Sequence, residues 1–486
     1  MTDTAGEPAG AEPPLFVDLD GTLIKTDLLV ESIILLLKTR PWLVALVFVW
    51  LLKGRAYLKA QIAIRVDVPA DGLVYDQKLL EYLQGERRRG RRLVLATASH
   101  VRYADAVSSH VGIFDHVIAS TEDRNLKGCE KLDAILQFTA GKAFDYAGNE
   151  RADLPIWRKA RNTIVVRAPA SVARVVRSFT EPSEMGDSRR SWSLILFARA
   201  LRVHQWLKNG LLLVPLLAAH RVGESESVMR VAAGFLAYSL CASSVYTVND
   251  LSDLRSDRLH PRKRLRPFAS GDLPLVYGVI LGPLLLIGSF AIAWTVLPPM
   301  FSLVLTVYYC SSMAYNFIAK QHAIWDVILL AGLYVLRVFA GAAAVPIPLS
   351  FWLLAFSMFI FLSLALAKRY SEMHTQQGLG RTAAHGRGYH TDDMPLLQSM
   401  GLASGYLAVL VLALYINSPE IHALYARPYM LWAICPLLLF WVSRVWLKTH
   451  RGQMHDDPVV FAVRDATSIL IGLLAVGFLA LGSLAV

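Results

Sequence analysis

Acidic and basic residues are concentrated in one short connection of an otherwise apolar chain, NDLSDLRSDRLHPRKRLRPFASG (residues 249–271), called the aspartate loop below. Asp250, Asp253 and Asp257 are spaced i, i+3, i+7, so a helix would place their carboxylates on one face. Asn249 lies directly before them, at the end of the preceding apolar run. Such a face binds Mg²⁺, which in turn binds a diphosphate. Basic residues able to neutralise further phosphate oxygens follow at Arg262, Lys263, Arg264 and Arg266.

A second acidic motif, FVDLDGTLIKTD (residues 16–27), places Asp18 and Asp20 at the C-terminal end of a predicted strand. Open α/β sheets carry their ligands at this edge. Two carboxylates spaced i, i+2 there can both hold Mg²⁺, the first attacking phosphorus and the second acting as acid and base. The motif therefore predicts phosphoryl chemistry.

The motifs of this N-terminal domain resemble those of the haloacid dehalogenase superfamily of phosphatases. Thr97 in LATAS fits the second motif of that family, Lys131 in KGCEKLDAI the third, and GNERAD the fourth. The resemblance implies Asp18 as the nucleophile and Asp20 as the acid and base. It also implies that Thr97 and Lys131 hold the phosphate.

The fourth motif departs from that family at one residue. Asn149 stands where the family usually has a metal-binding aspartate, and a neutral oxygen ligand binds Mg²⁺ more weakly. Asp153 is retained and can compensate. We expect phosphatase activity, with a scaffold or sensing role as the alternative.

Composition places most of the chain in a membrane. Of 486 residues, 55% are hydrophobic and 18% charged, and the mean hydropathy is +0.42, too apolar for a soluble protein of this size. Length and apolarity predict nine spans. They are placed at about 205–220, 230–249, 275–296, 299–318, 323–344, 351–369, 400–419, 427–446 and 466–485.

Most basic residues of the membrane domain lie in the loops at 250–274, 319–322, 370–399 and 447–465. The predicted spans place these loops on the same side of the membrane as the N-terminal domain. This distribution predicts a multi-pass inner (plasma) membrane protein with its N-terminal domain in the cytoplasm and its C-terminus outside. The net charge of +11 follows the same rule, so we predict no nucleic-acid partner.

These patterns predict a multidomain chain. A disordered segment (1–14), polar and without the apolar core of a signal peptide, precedes an α/β Rossmann-like haloacid dehalogenase domain (15–177). Five strands are predicted, at 15–20, 92–99, 116–120, 142–148 and 162–166. A polar linker (178–191) leads to an all-α nine-helix membrane domain (192–486).

A helical cap is predicted at about 28–80 of the N-terminal domain. Its apolar insertion (28–54) has one clean stretch, Trp42 to Leu52, which is too short to span a bilayer. We interpret this stretch as cap, able to rest on the membrane surface.

NDxxDxxxD on a nine-span scaffold resembles the UbiA superfamily of intramembrane prenyltransferases. Those enzymes generally carry a second aspartate-rich motif near the fifth span, where this chain reads YNFIAKQHAIWDV without an aspartate cluster. A closer resemblance, over about 199–470, is to the decaprenyl-phosphate phosphoribosyltransferases, a UbiA branch of cell-wall arabinan synthesis. It is carried by RVHQWLKN, the aspartate loop, KQHAIWD, YVLRVFAGA, AKRYSEMH and AVRD.

That branch implies phosphoribosyl pyrophosphate as the donor, a polyprenyl phosphate as the acceptor and Mg²⁺ as the cofactor. The implied donor site consists of Gln205, Lys208, Asn209, Tyr246 and the residues from Asn249 to Asp257. Candidates around the ribose phosphate or the lipid phosphate are Arg262 to Arg266, Lys320, Lys368, Arg369, Tyr370 and Glu372. Arg337 is costly in hydrocarbon and is a further candidate, with a pairing to Asp326 or Glu372 as the alternative.

The fusion of the two domains favours this branch. The implied product still carries a 5-phosphate, and a tethered phosphatase meets it at high effective concentration. Two alternatives stay open: an aromatic prenyltransferase using a polyprenyl diphosphate, and a regulatory membrane protein with a degenerate phosphatase domain. The lipid length and the formation of a homo-oligomer are also left open.

Overall fold

The computed structural model describes residues 12–186, 193–348, 350–380, 388–454 and 458–483. Most of the predicted disordered segment and the end of the predicted linker (187–191) lie outside these residues. The chain divides into two compact units, Met1–Leu201 with Tyr246–Gly282, and Arg202–Val245 with Pro283–Val486. The aspartate loop therefore belongs to the same unit as the N-terminal domain.

The first unit is built on a parallel sheet of six strands in the order β3-β2-β1-β4-β5-β6. The strands are β1 Leu15–Val17, β2 Leu93–His100, β3 His116–Ser120, β4 Asp145–Gly148, β5 Thr163–Val166 and β6 Ser183–Met185. All residues of β1 are buried, as expected for a central strand covered on both faces. The parallel α/β sheet is confirmed, and β6 is added to it from within the predicted linker.

Helices cover this sheet and build the cap. The α-helices of the first unit's N-terminal segment, up to Leu201, are α1 Leu28–Thr39, α2 Val44–Leu52, α3 Arg55–Ala63, α4 Gln77–Arg88, α5 Val101–Val111, α6 Cys129–Thr139, α7 Leu154–Trp157, α8 Ala170–Arg177 and α9 Leu194–Ala200. The cap begins at Leu28 because the side chain of Asp27 accepts a hydrogen bond from Val30 N at 3.1 Å, an N-cap. The predicted cap is helical, formed by α1 to α3.

The aspartate loop is not a single helix. A long helix, α11 Ser225–Ser252, ends just before Asp253, and a short one, α12 Leu254–Leu259, follows it. The expectation that one helix carries all three carboxylates is therefore wrong. Lys38 Nζ donates to the carbonyl of Ser252 at 2.6 Å, and such a lysine satisfies a carbonyl left over at a helix end. This contact accompanies the break.

The second unit is helical. The remaining helices are α10 Val214–Ala218, α13 Leu275–Val296, α14 Pro299–Phe317, α15 Trp325–Ala344, α16 Phe351–Gly378, α17 Met394–Ile416, α18 Pro419–Leu424, α19 Ile434–His450, α20 Pro458–Arg464 and α21 Ala466–Ser483, with α11 and α13 reaching into the first unit. Its largest apolar core joins α15, α16, α17 and α19 through residues such as Val338, Leu364, Leu397 and Trp446.

Within the part of the chain that the structure describes, seven helices are long and apolar enough to cross a membrane. The predicted nine spans are thus not confirmed. Residues 205–220 form a 3₁₀ helix, Val203–Leu213, followed by the five-residue α10, so they are no continuous α-helix. Helix α14 has 19 residues, but its polar side chains make it less apolar than those seven.

Candidate functional site

Asp18 and Lys131 form a buried ion pair at the C-terminal edge of the sheet. Asp18 follows β1 directly, and Lys131 lies in the first turn of α6, with Nζ 2.8 Å from Asp18 Oδ1. Lys131 also donates to the hydroxyl of Tyr146 at 3.0 Å, and Tyr146 donates to Asp153 Oδ1 at 2.8 Å. This network holds Asp18 in one orientation.

Burial controls the protonation of this pair. It raises the pKa of Asp18 to about 6, although the charge of Lys131 acts in the opposite direction. Burial also lowers the pKa of Lys131, but the charges of Asp18 and Asp153 outweigh it, so that this pKa ends above its usual value. Lys131 therefore stays charged beside the proposed nucleophile.

Asp20 is held between the cap and strand β2. Its Oδ1 accepts from Leu28 N at 2.8 Å, the first residue of α1, and its Oδ2 accepts from Ser99 Oγ at 2.5 Å. Burial, followed by the charge of Asp27, raises the pKa of Asp20 to about 7. A carboxyl with that pKa suits proton transfer near neutral pH. Thr97 is buried two residues before Ser99 on β2, and its Oγ1 accepts a hydrogen bond from Ser99 N at 3.0 Å.

Asn149 and Asp153 take different places at this edge. Asn149 Oδ1 accepts from the hydroxyl of Thr22 at 3.2 Å. Asp153 is buried, with Oδ1 bound by Tyr146 and Oδ2 accepting from Asn149 N and Glu150 N, both at 3.0 Å. These bonds make Asp153 an organiser of the loop that carries Asn149.

The donors at this edge fit Mg²⁺. Asp18, Asp20 and Asn149 offer oxygen atoms, the ligand type that Mg²⁺ prefers. Burial raises the pKa of both carboxyls, and a bound cation would favour their ionised forms. In the residues that the structure describes, however, no group of three or more His, Cys, Asp or Glu is arranged to hold a metal. Asn149 is an amide and is not one of these four residue types.

Arg266 joins two carboxylates of the aspartate loop. Its Nη1 lies 3.2 Å from Asp250 Oδ1 and also contacts Asp257 Oδ2. Both acids are nearly fully buried, and burial raises the pKa of Asp257 against the lowering effect of Arg266. Asp250 and Asp257 thus meet although they lie on different helices. Two oxygen donors so placed fit a divalent cation or, through Arg266, phosphate oxygens.

Asp253 is directed to a different neighbour. Its Oδ1 lies 3.6 Å from Lys38 Nζ of the cap helix α1. A stronger contact follows one turn later, where Arg258 of α12 pairs with Glu31 of α1 at 2.7 Å. The cap of the N-terminal domain thus packs on the aspartate loop within one compact unit.

The other predicted site residues in and just before the aspartate loop are more exposed to solvent than Asp250 and Asp257. Tyr246 and Asn249 are half-buried, whereas the basic residues Arg262, Lys263 and Arg264 are exposed. Substrate binding by these three basic residues stays a prediction.

In the second unit, Arg337 is buried and bonded to Asn209. Its Nε donates to Asn209 Oδ1 at 3.0 Å, and its guanidinium lies 5.2 Å from the ring centres of Tyr308 and Tyr334. The ammonium of Lys208, also buried, lies 5.9 Å from the same Tyr334 ring. The structure therefore brings Lys208, Asn209 and Arg337 together. Among the contacts described, Asp326 and Glu372 lie against Arg369, so the alternative pairing of Arg337 with either of them is not confirmed.

Asp326 instead pairs with Arg369. The two side chains are fully buried with Oδ2 and Nε 2.8 Å apart, Tyr389 donates to Asp326 Oδ1 at 2.6 Å, and Arg369 also contacts Glu372. Tyr370 lies beside them on α16, and its hydroxyl is 2.9 Å from His450 Nδ1. Among the other predicted residues, Gln205, Lys320 and Lys368 are half-buried. Substrate binding by this group stays a prediction.

Several residues of these sites were missed by sequence reasoning. Ser99 had a usable signal, since it is two residues from Thr97 and therefore on the same side of β2. Tyr146, Glu31 and Lys38 had none, because each acts through a partner distant in the sequence.

The chain combines two parts. An N-terminal domain carries a phosphatase-like site on a parallel sheet, and the helices that follow are able to cross a membrane. This combination defines a two-part membrane enzyme. Residues 15–158 match the family of haloacid dehalogenase-like hydrolases, and residues 211–464 match the UbiA prenyltransferase family. The chain belongs to the UbiA prenyltransferase family and carries a haloacid dehalogenase-like domain at its N-terminus.

Relatives share either the whole architecture or part of it. An uncharacterized protein of Sinorhizobium fredii, y4nM, is 35% identical over 472 residues, covering 95% of this chain and 89% of that protein. The decaprenyl-phosphate phosphoribosyltransferase of Mycobacterium tuberculosis is 38% identical over 186 residues, which are 37% of this chain and 61% of that enzyme. A solved UbiA homolog from Archaeoglobus fulgidus, bound to DMAPP and Mg²⁺, covers 59% of this chain at 18% identity and a TM-score of 0.44.

Proposed function

We propose that this protein transfers 5-phosphoribose from phosphoribosyl pyrophosphate to a polyprenyl phosphate and then removes the 5-phosphate of the lipid product. The carrying observation is the packing of the phosphatase cap on the aspartate loop through Glu31 and Arg258. Prenylation of an aromatic acceptor leaves no phosphate to remove, so that reaction does not account for a phosphatase held at this place. The similarity to the mycobacterial phosphoribosyltransferase supports the same choice.

The transfer step is assigned to the aspartate loop and the basic residues after it. The lipid phosphate attacks C1 of the ribose, the C1–O bond breaks, and pyrophosphate leaves with the bonding pair. Mg²⁺, held by Asp250 and Asp257, would neutralise charge on that leaving group. Arg266 contacts both carboxylates through Nη1, and a guanidinium can bind phosphate oxygens through its other N–H groups.

The hydrolytic step is assigned to the edge of the sheet. Asp18 attacks phosphorus of the 5-phosphate and forms an aspartyl phosphate, while Asp20 donates a proton to the departing ribose oxygen. Asp20 then takes a proton from the water that releases inorganic phosphate, and its pKa of about 7 suits both transfers. Lys131 and Thr97 hold the phosphate oxygens, and Mg²⁺ at Asp18 and Asn149 would balance their charge.

The topology proposed for this reaction puts both steps on one side of the membrane. The N-terminal domain and the aspartate loop lie in the cytoplasm, where phosphoribosyl pyrophosphate is soluble, and the C-terminus lies outside the plasma membrane. The distribution of basic loops supports this orientation. The lipid product would serve cell-wall arabinan synthesis.

The second candidate is a regulatory protein whose phosphatase domain only binds phosphorylated lipid. Asn149 is the observation that favours it, because the substitution removes a charged metal ligand.

The purified full chain, incubated with Mg²⁺, a polyprenyl phosphate and labelled phosphoribosyl pyrophosphate, is expected to yield labelled lipid, pyrophosphate and inorganic phosphate. A parallel reaction with geranyl or farnesyl diphosphate and 4-hydroxybenzoate is expected to yield nothing. Turnover of the prenyl diphosphate alone would overturn the proposal. Labelled lipid without inorganic phosphate would retain the transferase and favour the regulatory role of the N-terminal domain.

A further inference from the structure

The cap exposes a continuous apolar surface over residues 41–52. This segment consists of a 3₁₀ helix, Pro41–Leu43, and α2. Trp42 is 71% exposed, Phe48 66% and Leu52 88%, and the segment contains no charged residue. Large apolar side chains exposed side by side mark an interaction surface.

One side chain fixes the segment to the cap. Trp50 is buried against Leu36, Leu58 and Ile62, and the guanidinium of Arg65 lies 4.7 Å from the centre of its ring. Because Trp50 turns inward, the opposite side of α2 is presented outward in a set orientation. The exposed side chains are therefore held in place by the cap.

The length of the segment limits what can cover it. A bilayer span needs about 20 apolar residues, whereas an apolar helix of roughly this length is either a buried core helix or an interfacial segment. Because the segment is exposed, it is not a buried core helix within the described part of the chain. An interfacial position remains.

Contacts of the cap identify the bilayer as the partner. Lys38, three residues before the segment, donates to the carbonyl of Ser252, the last residue of the candidate span α11. Val30 and Ile34 of α1 pack in the same apolar cluster as Leu251. The segment therefore begins beside the point where a membrane helix ends.

Charge around the segment matches a lipid surface. The flanking residues Lys38, Arg40, Lys53 and Arg55 are basic, and each is exposed. Basic residues beside an apolar interfacial helix are attracted to anionic headgroups. A second copy of this chain would meet the like charges of Arg40, Lys53 and Arg55 at the same edge.

We propose that residues 41–52 form a docking surface for a bilayer containing anionic lipids, with Trp42, Phe48 and Leu52 in the acyl boundary. This surface keeps the cap at the membrane independently of the reaction that the two sites perform.

The test uses the full chain in nanodiscs of phosphatidylcholine with phosphatidylglycerol. A spin label is placed on Phe48→Cys after Cys129 and Cys310, the exposed cysteines among the described residues, are replaced by serine. A matched control carries the label at Glu81→Cys, an exposed position of α4. Collision with oxygen, which concentrates in lipid, is compared with collision with a water-soluble nickel chelate.

The label at residue 48 is expected to show a several-fold higher ratio of oxygen to nickel collisions than the label at residue 81. Equal ratios would place the segment in water, and protection from both agents would place it against protein, including a second copy; either result overturns the proposal. Phosphatidylcholine alone, or Arg40→Gln with Lys53→Gln, is expected to reduce the depth of the label. An unchanged depth in both would overturn the role of anionic lipid.

Discussion

Glu31 and Arg258 form a bidentate ion pair: Glu31 Oε1 lies 2.7 Å from Arg258 Nη2, and Glu31 Oε2 lies 3.0 Å from Arg258 Nη1. The side chains are 8% and 9% exposed. The hydroxyl of Thr26 donates to Glu31, and Arg258 also donates to the carbonyl of Gly72 at 2.8 Å. The pair joins cap and aspartate loop inside one compact unit, with all charges matched.

Removal of one partner of this pair should loosen the cap from the aspartate loop. Arg258→Ala leaves Glu31 buried without its cation, a change that costs about 3–5 kcal/mol in buried pairs. Faster amide hydrogen exchange is expected in α1 and α12. The control is Arg255→Ala, which removes an exposed pair with Asp71 at 3.5 Å and should cost at most about 1 kcal/mol. Equal effects of the two variants would contradict the structural role of the Glu31–Arg258 pair.

The buried carboxylates of the aspartate loop should be required for ribosyl transfer. Asp250→Asn keeps the size of the side chain but removes the charge that binds Mg²⁺, so transferase turnover is expected to fall by several orders of magnitude. Asp272→Asn is the matched control, since this exposed aspartate of the same connection bonds only to Ser270 among the contacts described. Turnover is measured as labelled lipid. Normal turnover by a folded Asp250→Asn protein would disprove the metal-site assignment.

The two activities should separate at Asp18. Asp18→Asn removes the proposed nucleophile but leaves the aspartate loop intact, so the lipid product should accumulate with its 5-phosphate. Asn149→Asp restores a charged oxygen ligand and should increase phosphate release, most clearly at low Mg²⁺. Mass spectrometry of the lipid distinguishes the outcomes. Identical lipid from all three proteins at saturating Mg²⁺ would mean that the N-terminal domain does not act on this product.

Ionised Asp20 should destabilise its surroundings when no metal is bound. Its pKa is about 7 in the folded chain and 3.8 in its ordinary state, so folding favours the protonated form. The resulting penalty is absent below pH 3.8, grows as the pH rises, and is complete above about pH 7. Asp20→Asn removes it while Oδ1 still accepts from Leu28 N.

Amide hydrogen exchange of β1 in a chelating buffer measures this effect. Asp20→Asn is expected to slow the exchange relative to the unchanged chain at pH 8, with a smaller difference at pH 5 after correction for the intrinsic exchange rate. Faster exchange of the variant at pH 8 would contradict the sign of the effect.

Local sequence patterns determined the two chemistries and the secondary structure around them. Asp18 and Asp20 could be placed at the end of β1 because an apolar run followed by Asp-Gly-Thr is a local signal. The long apolar helices were recognisable for the same reason. The 3₁₀ helix Val203–Leu213 was not, because apolarity alone does not distinguish an α-helical span from a tighter helix.

Only the tertiary structure decided how the acids and bases pair. Spacing predicted that Asp250, Asp253 and Asp257 act together. In the structure the helix breaks at Asp253, so that Asp250 and Asp257 both contact Arg266. Asp253 lies beside Lys38 instead. Glu31 and Arg258 are separated by 227 residues. Each such pair depends on burial and on the packing of helices that are distant in the chain, and periodicity within a single segment contains no information about either.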